Sequence, residues 1–191
     1  GTDTAAAVTA GSETMGAVTL SAGRLNIFGT NAVASGTQAI ILSGLTQTGT
    51  GTVTISAGTA LNTTTNRINN SAFGAQTTGG QIIGPWLTTG TGLATNNDYG
   101  VYDASGNILQ AAIAASAETT WTNAANSYTL SAGTALTGTR NMTGLRYTGA
   151  AGTLDLANFN LGTTGVLNGG TAALTISSTG TGVVTLPSAV S

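Results

Sequence analysis

The sequence predicts an all-β protein, a parallel β-helix (solenoid) that carries an inserted hairpin and loop segment. Three observations lead there. A triplet of apolar, Thr, apolar recurs as Val18-Thr19-Leu20, Val53-Thr54-Ile55, Tyr128-Thr129-Leu130, Leu174-Thr175-Ile176 and Val184-Thr185-Leu186. The first three run into the same Ser-Ala-Gly, at 21–23, 56–58 and 131–133. Finally, 39 Thr, 30 Ala and 29 Gly make up about half of the 191 residues. Alternation of period two buries one strand face and wets the other. Thr suits the wet face, because its β-branch favours extended backbone and its hydroxyl stays solvated. Ser-Ala-Gly and runs such as Thr48-Gly49-Thr50-Gly51-Thr52 read as corners, where Gly frees the backbone and small residues let chains pass closely. Short, similar strands with modest aliphatics fit stacked rungs around a thin core.

Three segments follow. Residues 1–72 read as solenoid rungs, with Leu25/Ile27 as a further alternating pair. Residues 73–120 read as an insertion decorating one side or end of the stack, because the texture changes at Gly84-Pro85-Trp86-Leu87. Within it, Tyr99 to Leu109 reads as a β-hairpin with Asp103-Ala104-Ser105-Gly106 at its turn. Ala111 to Ala117 is the one candidate for a short helix. Residues 121–191 return to solenoid rungs, with alternating pairs Leu145/Tyr147, Leu154/Leu156 and Phe159/Leu161. The Ser-Ala-Gly units lie 35 and then 75 residues apart, so the rungs are expected to be unequal or interrupted. The alternative fold is a β-sandwich or jelly-roll pilin with an N-terminal donor strand within Thr2 to Thr9.

Composition excludes much chemistry. The chain has no Cys, no His and no Lys. That removes disulfides, thiolate metal sites, imidazole catalysis and lysine Schiff bases. Four Arg (Arg24, Arg67, Arg140, Arg146) with a net charge of −2 make a poor phosphate-binding surface, so no nucleic-acid partner is expected. Apolar runs such as Ala39 to Leu42 are far shorter than the ~20 residues of a spanning helix, so no membrane span is expected. The chain does not begin with Met and reads as a processed product or a portion of a longer protein. It is not expected to be an enzyme, and no catalytic, cofactor-binding or metal-ligating residue is assigned.

The pattern resembles autotransporter-associated β-strand repeat proteins, long secreted solenoids of planctomycetes, verrucomicrobia and related bacteria. The matching stretches are Leu42 to Gly51, Ile82 to Trp86 leading to Val101-Tyr102-Asp103, and Tyr128 to Gly169. Gly152-Thr153-Leu154-Asp155-Leu156 with Asn160-Leu161 and Gly165-Val166-Leu167 carries it furthest. The resemblance implies secretion to the cell surface and a parallel β-helix, and brings no catalytic residues with it.

Four constellations are worth following. Asp98 and Asp103, flanked by Asn96, Asn97 and Asn107, present oxygen ligands of the kind calcium takes, but the spacing suits hairpin-turn chemistry better. Arg146 and Asp155 each lie between apolar neighbours, point outward, and are placed to form a surface pair on adjacent rungs. Trp86, Tyr99, Tyr102 and Trp121 gather in or beside the insertion, either as a sugar-stacking surface or as a satellite core. Asn62, Asn69 and Asn141 start glycosylation-type triplets.

The functional expectation is a structural subunit of an extracellular fibre or cell-surface layer, self-assembling through β-strand edges. The physical ground is that exposed edges pair with other chains unless charge guards them, and charged residues are only 5% of this chain. The expected partners are further copies of the chain. The alternative is a surface adhesin or glycan-binding module using the 84–103 insertion.

Overall fold

A computed structural model describes residues 10–29, 36–58, 61, 64–73, 80–91 and 97–186. The protein is all-β with mainly parallel sheets. Among the described residues the only helical element is a 3-10 turn, Glu118–Thr120, and no helix is long and apolar enough to cross a membrane. Parallel ladders differ from the antiparallel ones of a jelly-roll. The donor strand read within Thr2 to Thr9 lies outside the described residues.

The first region alternates between two sheets. Strands β1 (Ala10–Leu20), β3 (Thr37–Gln47) and β5 (Asn66–Asn70) form one parallel sheet in the order β1-β3-β5. Strands β2 (Arg24–Gly29), β4 (Thr52–Ala57) and β6 (Leu87–Thr91) form the parallel part of the other. Consecutive strands therefore lie in different sheets, and every second strand pairs. The register stacks like on like: Leu25 lies beside Val53 and Ile27 beside Ile55, and Val53 in turn lies beside Leu87. The buried side chains of both sheets meet in one core that includes Leu42, Val53, Ile55, Ile68 and Leu87.

The middle segment turns the pairing antiparallel. Strand β7 (Asp98–Tyr102) joins β6, and β8 (Ile108–Gln110) joins β7, which is the hairpin read over 99–109. Its tip also covers β5, through the Asn69–Asn107 bridge and the Asn70 N–H on the Gly106 carbonyl at 2.9 Å.

The expected helix over Ala111 to Ala117 is absent, because its backbone groups bond elsewhere. The Ala111 N–H donates to the Tyr99 carbonyl at 2.9 Å and the Ser116 N–H to the Thr129 carbonyl at 3.0 Å. Ala112 sits at φ +48°, in the left-handed region, with its N–H on Asp98 Oδ2 at 2.9 Å. A helix over these residues would need the Ser116 N–H for the Ala112 carbonyl and a negative φ at Ala112.

The last region alternates among three sheets. Its strands are β9 (Ser127–Leu130), β10 (Thr134–Ala135), β11 (Arg140–Met142), β12 (Gly144–Tyr147), β13 (Gly152–Asp155), β14 (Leu161–Thr163), β15 (Val166–Asn168), β16 (Leu174–Ser177) and β17 (Val184–Thr185). Every third strand pairs, giving β15-β12-β9, β10-β13-β16 and β11-β14-β17, all parallel. Trp121, Leu145, Tyr147, Leu154 and Leu161 fill a second core.

The corners use one device in both regions. After β1, Ser21-Ala22-Gly23 is overlaid by Thr48 to Thr52: the Thr48 N–H donates to the Leu20 carbonyl at 2.8 Å and the Thr50 N–H to the Ser21 carbonyl at 3.0 Å. After β9, Ser131-Ala132-Gly133 is overlaid in the same way, with the Thr148 N–H on the Leu130 carbonyl at 3.0 Å. A Cβ on Gly49 would run into the Ser21 carbonyl, and one on Gly149 into the Ser131 carbonyl. The second Ser-Ala-Gly, at 56–58, differs from expectation. Ser56 and Ala57 stay inside β4, and only Gly58 follows it.

The wet-face assignment of Thr also holds only in part. Thr19, Thr175 and Thr185 are exposed, but Thr54 and Thr129 are buried. These three exposed threonines lie on β1, β16 and β17, strands at the outer ends of their ladders. Thr54 lies in an interior strand, with its Oγ1 3.1 Å from Arg24 Nη2 and 3.3 Å from Thr88 Oγ1. Thr129 lies under the bridge to Ala115.

Candidate functional site

The structure holds two interior polar networks, the first built on residues singled out in the sequence, and neither is an open pocket. The first fastens the hairpin to the last region. Asp98 Oδ2 lies 3.0 Å from Arg146 Nη1, with both side chains largely buried. Asp98 Oδ1 accepts the Tyr99 N–H at 2.8 Å. The Tyr99 hydroxyl crosses to the Leu145 carbonyl at 3.0 Å and the Gly165 carbonyl at 3.3 Å. Its ring is buried with Ile82 and Leu167. Burial pushes the Asp98 carboxyl above its ordinary range, although Arg146 and the Ala112 and Tyr99 N–H groups pull the other way. Burial, then the neighbouring Asp98, pushes the Tyr99 phenol well above its ordinary value.

The expected Arg146–Asp155 surface pair is therefore not formed. Arg146 pairs with Asp98, which the hairpin brings to it and which shares no rung with Asp155. Asp155 instead ties its own turn to the one that follows it: Oδ1 accepts the Ala157 and Thr179 N–H groups, each at 2.9 Å, and Oδ2 accepts the Thr179 hydroxyl at 2.8 Å. Those bonds hold its carboxyl below the ordinary range.

Asp103 behaves as turn chemistry requires. Its Oδ1 accepts the Ser105 and Asn107 N–H groups, each at 2.8 Å, and its Oδ2 accepts Asn107 Nδ2 at 2.7 Å. Slight burial raises this carboxyl, but the Asn107 and Ser105 bonds outweigh it and hold the group low. Asp98 and Asp103 thus serve separate networks. Among the described residues no three acidic, His or Cys side chains gather as a cation site would need. Asn96 lies outside the described residues.

The second network went unseen in the sequence. Glu118, the first residue of the 3-10 turn, is buried and accepts from Arg140 Nε at 2.8 Å and from the Thr137 hydroxyl at 2.6 Å. Burial raises this carboxyl, yet the Arg140 and Thr137 bonds bring it below its ordinary value. Beside it lies a shallow groove of about 460 Å³, walled by Ala115–Thr119 and by Leu130–Ala135. The missed signal was charge scarcity: a buried acid needs a cation, and the sequence offers only four Arg.

The aromatics act as a core. Tyr99 and Trp121 are each 1% exposed, and Tyr102 is buried with its hydroxyl accepting Asn70 Nδ2 at 2.8 Å. Trp86 is partly buried against the first core. Trp121 stacks on Tyr128 at 5.8 Å between ring centroids and donates from Nε1 to the Ser116 hydroxyl at 3.1 Å. Of the glycosylation-type triplets, Asn141 is exposed, Asn69 bonds the Ser105 carbonyl at 2.8 Å, and Asn62 lies outside the described residues.

The open features are strand edges. Among the described residues β1 and β2 in the first region, and β15, β16 and β17 in the last, each have a neighbouring strand on one side only, as do β8, β10 and β11 between them in the chain. Large apolar side chains gather at the second set: Val166 is 43% exposed, Val183 52%, Val184 39% and Leu186 60%. Such edges present unpaired N–H and C=O groups, which can accept a further strand.

No protein-family model matches the chain, and neither the curated proteins nor the solved structures yield a match.

Proposed function

We propose that this protein is a structural subunit of an extracellular fibre or cell-surface layer, a β-solenoid whose copies join through strand edges. The observation that carries this reading is the pair of open edge sets, β1/β2 and β15/β16/β17, the latter lined by exposed valines and Leu186. Added strands would extend ladders already in register, and each new backbone bond would satisfy a group now left to water. The pairing of every second and then every third strand supports a coiled, solenoidal path. The resemblance to secreted β-strand repeat proteins supports an extracellular setting. A glycan-binding role for the 84–103 segment is the weaker reading, because Tyr99 and Tyr102 there face the interior.

Negative-stain microscopy of the purified chain over a concentration series tests the proposal. The expected result is elongated particles or filaments, with a ~4.8 Å repeat in fibre diffraction. Discrete monomers at every concentration would overturn it.

A further inference from the structure

The two open ends are not alike. One end presents two edge strands, β1 and β2, and the other presents three, β15, β16 and β17. Head-to-tail stacking would set three strands on two, leaving one edge unpaired and the cores misaligned. Like ends carry no such mismatch.

Charge distinguishes the ends further. From Leu156 to Ser191 the sequence contains no Asp, Glu, Lys or Arg. The opposite end carries Glu13 on β1 and Arg24 on β2. In a two-fold interface each residue near the axis meets its own copy, so charges there repel. A charge-free turn is self-compatible without any special pairing.

We propose, resting on the assembly reading above, that the partner of the β15/β16/β17 end is the same end of a second copy. The two copies are related by a two-fold axis across the stack. That rotation reverses strand direction, so the new ladders are antiparallel, whereas every ladder within this region is parallel. The exposed Val166, Val183, Val184 and Leu186 are covered in the joint. The assembly is then non-polar, with pairs joined at their uncharged ends as its unit.

The chain has no cysteine, so single-cysteine variants report the geometry directly. Val166→Cys, Thr175→Cys and Val184→Cys place one thiol on each edge strand, with exposed Ala132→Cys as control. The expected result is a disulfide-linked dimer from at least one edge variant and none from the control. Val184→Lys is expected to weaken dimerisation by at least about tenfold in sedimentation, since each copy then buries an unpaired charge in the apolar joint. An unchanged circular dichroism spectrum would show that this variant still folds.

Two results would overturn this inference and leave the fibre reading standing. One is linkage only in a Ser12→Cys/Val184→Cys double variant, which reports head-to-tail stacking. The other is filaments without any edge-variant linkage. Monomers at all concentrations would overturn both.

Discussion

The first and last regions share a corner and differ in everything between corners. In the first, Ala10 pairs with Thr37 and Gln38 with Asn66, steps of 27 and 28 residues. In the last, Thr134 pairs with Leu154 and Gly152 with Leu174, steps of 20 and 22. The longer turn holds two strands of up to 11 residues, and the shorter turn holds three of two to four. The same Leu-Ser-Ala-Gly corner serves both, overlaid by Thr-Gly in each. Corner sequence therefore fixes how one turn rests on the next, but not how many strands a turn contains. That number follows from how far the chain runs before small residues and Gly let it bend again. The cores follow suit. The first is chiefly aliphatic, whereas the last needs Trp121 and Tyr147 to fill its interior.

The largest expected effect comes from removing the last region's biggest filler. Trp121→Ala should cost about 3–5 kcal/mol, read from chemical denaturation. If the regions are separate cooperative units, amide exchange should accelerate over β9–β17 and stay slow over β1–β5. Uniform acceleration would show that the two cores unfold as one.

Next come the corners. Gly49→Ala and Gly149→Ala should each cost about 1–3 kcal/mol, because the added methyl meets a backbone carbonyl that cannot move aside cheaply. Matched losses in thermal denaturation would confirm one device in two settings. A tolerated Gly149→Ala would mean that the three-strand turn can relax where the two-strand turn cannot.

A smaller effect is expected at the joint. Tyr99→Phe removes the donor to the Leu145 and Gly165 carbonyls and should cost about 0.5–1.5 kcal/mol. Faster amide exchange in β7 and β12, with β1–β3 unchanged, is the expected signature.

The smallest effect separates the regions by acid. Asp103, Glu118 and Asp155 are held below their ordinary range, so their stabilisation is present above that range and fades as pH falls through the lowered values. Asp98, raised by burial, has the opposite sign: acidification through its raised value relieves the cost of keeping it ionised. All four lie beyond β6. Exchange protection in β9–β17 should therefore rise slightly on mild acidification and then fall, while β1–β3 stays flat. Equal pH dependence in both regions would contradict this assignment.

The strands were legible because period-two alternation names the inward residue directly: Leu25, Ile27, Val53, Ile55, Leu145, Tyr147 and Leu154 all turn toward a core. The hairpin was legible because Asp103-Ala104-Ser105-Gly106 carries its own turn chemistry, with Gly106 at φ +79°. The Ala111–Ala117 segment misled because helix propensity is a local preference. Here it is overridden by backbone bonds to Tyr99, Asp98 and Thr129. The Arg146 partner misled for a similar reason. Sequence proximity favoured Asp155, but a hairpin from another part of the chain delivers Asp98.

By itself the sequence determined the all-β class, the positions of those strands that carry clear alternation, and a chain almost without charge. These follow from residue chemistry repeated at short range. Only the tertiary structure decided which strands pair, how many make a turn, and which acid meets which arginine. Those outcomes depend on contacts between residues far apart in the chain, where alternation is silent. The difference between a two-strand end and a three-strand end is one of them, and it sets what each end can join.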